Sequence, residues 1–439
     1  MRKEAPIIET DVLDLSHDGR GVARHEGKVV FVDGGLPGER IRARLRRRAR
    51  DFDEAELLGL LTPAPERVEP RCGHFGMCGG CVLQHCAPDA QIAAKQKQLL
   101  ENFKRIAGMA PQRLLPPLTA NVWGYRRKAR LSVKHVTKKG RVLVGFRERN
   151  PRFIADIRRC EVLDPRVGAK IERIGDLIAT LHAKDSIAQI EVAAGEGMPA
   201  LVFRHLQPLN DEDLDRLRDF GNAEHFAIYL QPGGIDSVHL LWPHTHELMF
   251  SLPARKLRYR FAPLDFVQVN AGINAAMIEH TSALLDLNTN DCVLDLFCGL
   301  GNFSLPMAQQ AGRVVGVEGD AGLVQRARDN AEMNGLNNVE FHAADLAQNL
   351  SGLGWAREAY TAVLIDPPRT GAQAVLEQLR FPQARRLVYV SCHPGSLARD
   401  ARILVDSHGY QLKAAGVMDM FPHTAHVESI ALFVRESRD

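Results

Sequence analysis

Apolar and polar residues alternate with a period of two through the first sixty positions, then give way to longer patterns. IIETDVLDL, GVARHEGKVVFVD and RIRARLR are short alternating stretches punctuated by glycines, as expected of half-buried strands joined by tight turns. In RIRARLR, Arg40, Arg42, Arg44 and Arg46 share one face, and Ile41, Ala43 and Leu45 share the other. A small OB-like β-barrel is predicted for residues 1–62, ending at the proline-rich TPAPERVEP. From Pro88 to about Gly108, Ile92, Gln96, Leu99, Phe103 and Ile106 fall near helical spacing, which predicts a helix docked on a larger body. Residues 125–260 read mainly as β-hairpins with helical interludes near 166–183 and 211–219. Beyond 261, the strand-like VLDLF, RVVGVEG, VEFHAA, AVLID and LVYVS alternate with helical segments, predicting a doubly wound, Rossmann-like parallel sheet. The chain is therefore a multidomain α/β protein: a barrel over 1–62, a central β-rich domain over 63–260 and a Rossmann-like domain over 261–439.

Composition narrows the setting. The 439 residues are 45% hydrophobic and 25% charged, values of a soluble globular chain. No apolar run approaches the roughly 20 residues of a membrane span, and MRKEAPIIETDVLDL has no secretory core. A cytoplasmic address is expected, with the eight cysteines serving as thiols or metal ligands rather than disulfides. The net charge is only +3, but its distribution is uneven. Seven arginines and no acid lie between Arg40 and Arg50, and nine Lys/Arg and no acid between Arg126 and Arg147. Both patches predict an anionic partner, most simply nucleic acid.

In RCGHFGMCGGC, Cys72, Cys78 and Cys81 are separated by Gly73, Gly76, Gly79 and Gly80. Glycines let the backbone curl and turn several sulfurs inward, so a metal site is expected, completed by Cys86 or Cys160. Zinc is the default for a site built from four thiolates, an iron–sulfur cluster is the alternative, and spacing alone does not choose.

VLDLFCGLGNFSLPMA reads as strand, glycine turn and helix. As a dinucleotide fingerprint it fails, because Ser304 stands where the third glycine belongs. Asp295 also precedes the turn, where a pyrophosphate would be repelled. An acid there suits the amino group and sulfonium of S-adenosylmethionine. Glu318 ends the second strand, placed to accept both ribose hydroxyls, and Asp345 follows the third, placed to meet adenine. Asp366 ends the fourth strand in front of Pro367 and Pro368, whose fixed backbones hold it at the mouth of the sheet. Cys392 ends the fifth, before a helix opened by Pro394. A lone cysteine at such a junction is ordinarily packing, although a helix N-terminus lowers a thiol pKa.

The motifs FVQVNAGIN, LDLFCGLGNF, VEGD, LIDPPRTG, VSCHPGSLARD and MFPHTAHVESI together resemble the RNA uracil 5-methyltransferase family, most closely its branch acting on 23S ribosomal RNA. Residues 1–62 resemble a TRAM domain, an RNA-binding barrel. The resemblance implies that Gln268, Phe297, Asn302, Glu318, Asp345 and Asp366 line an S-adenosylmethionine site. It implies Cys392 as nucleophile and Glu428 as base. It also implies that Cys72, Cys78, Cys81 and Cys160 hold a [4Fe–4S] cluster, choosing iron–sulfur over zinc and Cys160 over Cys86. Phe266 is a candidate to stack on a displaced base, and the two basic patches would carry phosphate contacts. One departure stands out: many family members read Ser-Cys-Asn-Pro, and here His393 replaces the asparagine.

Carbon-5 of uracil is too weak a nucleophile to take a methyl group until a thiolate adds at carbon-6, and a base must then remove the carbon-5 proton. The expected partner is 23S ribosomal RNA, with no membrane, no obligate protein partner and a monomeric chain. The same chemistry on a transfer RNA T-loop uridine or another 23S hairpin, and a non-enzymatic iron–sulfur RNA-binding factor, are the competing readings.

Overall fold

In the computed structural model, residues 5–435 are described. The strands Ile7–Leu15, Gly21–His25, Lys28–Asp33, Arg40–Arg48 and Phe52–Thr62 close into a barrel. Ile8, Val12, Ala23, Val30, Val32, Ile41, Ala43, Leu45 and Ala55 fill it, so the period-two pattern translates directly into inside and outside. The arginines of Arg40–Arg48 face outward, but they are not a bare cationic strip. The neighbouring strand Phe52–Thr62 runs antiparallel and sets Glu56 opposite Arg44, Glu54 opposite Arg47 and Asp53 opposite Arg48. Ion pairs join Arg42 to Glu9 at 3.3 Å, Arg47 to Glu54 at 3.7 Å and Arg48 to Asp53 at 3.9 Å, and Arg46 also pairs with Glu56. Much of the charge seen in the sequence is thus met across the sheet.

The second basic patch is similarly absorbed. Arg127 is buried, with its Nε donating to the Gln268 carbonyl at 2.7 Å, and Lys128 donates to the Pro263 carbonyl. Arg130 pairs with Glu191, and Lys139 and Arg141 each reach Asp156 at 2.9 Å. Arg127 and Lys128 therefore hold the chain together instead of facing a phosphate backbone.

Six strands form the central sheet in the order His239–Trp242, Ala227–Gln231, Ala200–His205, Ile187–Ala193, Lys128–Val136 and Arg141–Gly145. One pair departs from the expected hairpins. Ala200–His205 and Ala227–Gln231 are parallel, and the helix Asp211–Glu224 crosses between them. Asn210 caps that helix by accepting from the Asp213 N–H at 2.8 Å, and three acids occupy its first turn, a strong local start signal.

The largest sheet places Val339–Ala343, Arg313–Glu318, Cys292–Leu296, Ala362–Ile365, Arg386–Ser391, Glu428–Val434, Gln411–Met418 and Arg113–Leu114 side by side. Its first five strands are parallel. Alternate residues face two separate cores. Val293, Val314, Leu364 and Val388 pack against the helices Ala271–Leu285 and Ala321–Met333. Leu294, Val315, Val363 and Tyr389 pack against Pro394–Asp406 on the other side. Between Ala343 and Ala362 the expected helix is only the single 3₁₀ turn Trp355–Arg357, where Gly352 and Gly354 interrupt any longer helix. The chain order reverses between Cys292–Leu296 and Ala362–Ile365, and such a switch point opens a ligand crevice at the carboxyl ends of the strands.

The helix Pro88–Asn102 continues into a wider π turn, Phe103–Ala107. Leu99 and Phe103 are fully buried in the second core of the large sheet, together with Leu397, Ala398 and Val417. Removing the Phe103 ring from this contact leaves a cavity. Phe103→Ala should destabilise the protein by about 3–5 kcal/mol, measured as a lower midpoint of urea unfolding followed by tryptophan fluorescence.

Candidate active site

The turn after Cys292–Leu296 needs unusual backbone. Phe297, Gly299 and Gly301 have φ of 65°, 57° and 88°, and a Cβ on Gly301 would meet the Leu305 side chain at 2.5 Å. Glu318 stabilises the turn: its carboxylate accepts from the N–H groups of Gly299 at 3.0 Å, Gly319 at 2.7 Å and Asp320 at 3.2 Å. Asn302 and Asn274 exchange amide hydrogen bonds of 2.9 and 3.0 Å, which ties the turn to the helix following FVQVN. Asn274 closes the motif FVQVNAGIN, but only the fold shows that its amide pairs with Asn302. Gln268 is partly exposed beside that helix, held by Arg127 at its carbonyl. Asp345 is exposed, accepting from the Ala347 N–H at 2.9 Å.

Asp295 lies fully buried at the end of its strand. Ser304 Oγ donates to its Oδ2 at 2.5 Å, while Oδ1 has no hydrogen-bond partner. Burial, followed by the charges of Asp366 and Glu318, pushes its carboxyl up to about 8 against the restraint of Ser304. Burial and Glu318 raise Asp366 to about 7. Burial and Asp366 raise Glu428 to about 8, opposed by Lys95 and Arg369. Four acids from four strand ends thus crowd one edge of the sheet, and the charges of Glu318 and Asp366 resist the ionisation of their neighbours. An orphaned buried carboxylate oxygen beside a glycine turn suits a cationic ligand, so the residues present fit S-adenosylmethionine.

Cys392 is half-buried after Arg386–Ser391, and its charge couples to Glu428 and Asp366. Its thiol is not activated as the helix position suggested. Burial, with those two carboxylates adding, pushes it up to about 11. The helix begins only at Pro394, and His393 caps it, with Nδ1 accepting from the Ser396 N–H at 3.1 Å. Asparagine at this position would supply the same acceptor, so the departure at His393 preserves the cap.

A cleft of about 1070 Å³ exposes Cys392. Its walls come from the barrel loop at Ser16–Gly19, the cysteine-rich segment at Gly79–Leu83, the docked helix at Lys95–Asn102, and the loop preceding Glu428. None of Arg40, Arg42, Arg44 or Arg46 lines it. Phe266 is 68% exposed, so it is not core, and it too lies outside this cleft. His426 precedes the strand Glu428–Val434 and packs on Phe421 with ring centres 5.3 Å apart. Lys95 went unnoticed in the sequence because it reads as a polar position of an amphipathic helix. It is buried, bonded to Asp419 at 2.6 Å and to the Phe421 carbonyl at 3.0 Å.

Cys72, Cys78, Cys81 and Cys160 line one small cavity, and Cys86 packs elsewhere with Leu36 and Leu83. Burial raises the thiols of Cys78, Cys81 and Cys160, Cys81 to about 12 and Cys160 to about 11. Among the described residues, no three His, Cys, Asp or Glu side chains converge to hold a single metal ion.

Comparison with known proteins agrees with this geometry. The tRNA (Uracil-5-)-methyltransferase family model matches residues 244–436, and the TRAM domain model matches residues 3–58. A Xanthomonas campestris protein named 23S rRNA (uracil(1939)-C(5))-methyltransferase RlmD is 55% identical over 429 residues, 97% of either chain. The chain belongs to the RNA uracil-5 methyltransferase family. A Xylella fastidiosa member bearing the same name is 54% identical over 437 residues, 99% of each chain. Among solved structures, the Pyrococcus abyssi tRNA (uracil-54, C5)-methyltransferase in complex with S-adenosyl-L-homocysteine shares the fold. Its TM-score is 0.73 at 23% identity, covering 97% of this chain and all of that one. Among the described residues, no helix is long and apolar enough to cross a membrane.

The crowded acids make ligand-free stability depend on pH. Asp295, Asp366 and Glu428 hold their protons to higher pH folded than their ordinary values of 3.8, 3.8 and 4.5. Their contribution is therefore full below about pH 4 and is lost as pH rises through 7 to 8. The thermal midpoint of Glu428→Gln, read by scanning calorimetry, should gain on wild type between about pH 5 and about pH 8.5, with the gap widening as pH rises.

Proposed function

We propose that the chain methylates carbon-5 of a uridine in 23S ribosomal RNA, the site corresponding to position 1939 in the names of its relatives. The observation that carries this reading is the meeting of Cys392, Asp366 and Glu428, from three strand ends, at the edge of a sheet whose neighbouring turn fits a cationic ligand. Full-length identity of 54–55% to proteins named for 23S RNA, against 23% to the transfer RNA enzyme, favours the ribosomal target.

S-adenosylmethionine supplies an electrophilic methyl group when bound. Asp295 with Gln268, Phe297, Asn302, Glu318, Asp345 and Asp366 would hold it. A uridine turned out of its stack enters the cleft, and the Cys392 sulfur bonds to carbon-6 of the ring as the thiol proton passes to solvent in the open cleft. Carbon-5 gains the electron pair and takes up the methyl group. Glu428, as carboxylate, removes the carbon-5 proton, and the sulfur–carbon bond breaks to return Cys392. Asp366 holds the ring edge and sets the charge that keeps Glu428 basic. Lys95 and Arg369 oppose that charge, keeping Glu428 ionisable within the physiological range.

Cys72, Cys78, Cys81 and Cys160 would hold a [4Fe–4S] cluster. Four cysteines sharing one cavity are the donor set it takes, one thiolate at each iron, which suits sulfurs that line a cavity without converging on a point. Its place is structural, since the cavity lies behind the cleft wall at Gly80, Arg126 and Phe146.

RNA carrying 5-fluorouracil offers Glu428 no proton to remove, so wild type with S-adenosylmethionine should form a lasting adduct, seen as a shifted band on a denaturing gel. Cys392→Ala should form none; an undiminished band would refute the nucleophile. On ordinary RNA, Glu428→Gln should lower turnover at least about 100-fold. Wild-type kcat/KM should rise with pH through about 7 to 8, as Asp366 and Glu428 lose their protons. Protein purified without oxygen should be brown, with about four irons per chain, whereas a colourless protein with stoichiometric zinc would overturn the cluster.

A further inference from the structure

Four side chains on the wall of the cleft form a row of ring and guanidinium contacts that the methyl-transfer steps leave unused. The guanidinium carbon of Arg126 lies 5.8 Å from the ring centre of Phe146 and 5.8 Å from that of Phe421. His426 extends the row, its ring centre 5.3 Å from that of Phe421. All four line the cleft that exposes Cys392. Phe146 and Arg126 come from the region of the central sheet, and Phe421 and His426 from the loop that leads into Glu428. The column therefore spans from the central sheet to the catalytic strand.

Each member has surface left to offer. Phe146, Arg126 and Phe421 are partly exposed and His426 is exposed. Among the described residues no carboxylate pairs with Arg126; its Nε donates to the Lys128 carbonyl at 3.0 Å. Its charge therefore has no carboxylate partner, and both rings lie within cation–π reach of it. Rings interleaved with a guanidinium are the surface on which unpaired bases stack, through π faces and cation–π attraction. The target uracil is not free to use this surface, because its carbon-6 must sit at the Cys392 sulfur. Its neighbour on the strand is in a different position: once the target is extruded, that base loses a stacking partner.

We propose that the column of Phe146, Arg126, Phe421 and His426 is a stacking site for a second unpaired nucleobase, adjacent to the target uridine on the same strand. The inference rests on the reading of the chain as an RNA uridine methyltransferase. Stacking does not choose between bases by hydrogen bonding, so the site takes any nucleobase, and its contribution lies in affinity and in holding the RNA open.

The test uses the full-length protein, S-adenosylhomocysteine and a 23S hairpin containing the target. The nucleotides flanking the target are made abasic one at a time, and Kd is read by fluorescence anisotropy. With wild type, one abasic position should weaken binding about 5-fold or more. Phe146→Leu and Phe421→Leu should weaken binding of the intact hairpin to a similar extent, and the abasic penalty should then disappear. Thermal midpoints and S-adenosylhomocysteine binding establish that the variants are folded, and the wild-type scan stands without them. The proposal is overturned if no flanking abasic position weakens wild-type binding, or if the penalty persists undiminished in both variants. Failure of wild type to methylate the intact hairpin with S-adenosylmethionine would instead sink the functional reading beneath it.

Discussion

The buried ion pair between Lys95 and Asp419 fixes how the parts of this protein meet. Lys95 belongs to a helix outside the parallel sheet, and Asp419 stands just past the strand Gln411–Met418. Their bond of 2.6 Å is almost wholly shielded from water, with side chains 3% and 5% exposed. Losing one partner of such a pair strands the other charge, at a cost of about 3–5 kcal/mol. Gln91, one turn earlier, reinforces the tie by donating to the carbonyls of Leu83 and Cys86 and accepting from the His423 N–H. His423 in turn accepts at its carbonyl from the N–H groups of Val82 and Leu83. Cysteine-rich segment, helix and catalytic loop are therefore one hydrogen-bonded unit, and the cleft wall is built from all three.

Within that frame the site is organised by repulsion. Asp295, Glu318, Asp366 and Glu428 converge where parallel strands end, with Asp295 buried and the other three partly exposed, so little water screens their charges from one another. A cationic ligand at this edge would relieve the crowding. The same field holds Cys392 as a thiol in the free protein. Burial and the neighbouring carboxylates thus outweigh the lowering that its place before a helix suggested.

Charge along the chain and charge on the surface diverge here for a structural reason. A run of seven arginines looks like an RNA platform until the fold lays an acidic strand beside it. The region 126–147 likewise turns Arg127 and Lys128 inward to backbone carbonyls. Arg126, one residue away, lines the cleft within reach of two rings. Neighbours in sequence with the same charge thus have different tasks, set by which backbone carbonyls and rings each one meets.

Much was legible in the sequence because it depended on local rules. Period-two alternation marked the barrel strands. The glycine turn with Asp295, Glu318 and Asp366 marked the ends of parallel strands, since turn geometry and strand ends constrain nearby residues. Family motifs named Cys392 and Glu428. What no local pattern encodes is which distant segments touch. The Lys95–Asp419 pair spans 324 residues, and the Phe146, Arg126 and Phe421 column joins two separate sheets. The grouping of Cys160, not Cys86, with Cys72, Cys78 and Cys81 is another such contact. The raised pKa of Cys392 likewise depends on burial and on carboxylates from other strands. Sequence by itself determined the elements and the chemistry they could carry. Tertiary packing alone decided which charges would be neutralised, which would be crowded, and which side chains would face the RNA, because those outcomes depend on distance in space and on exclusion of water.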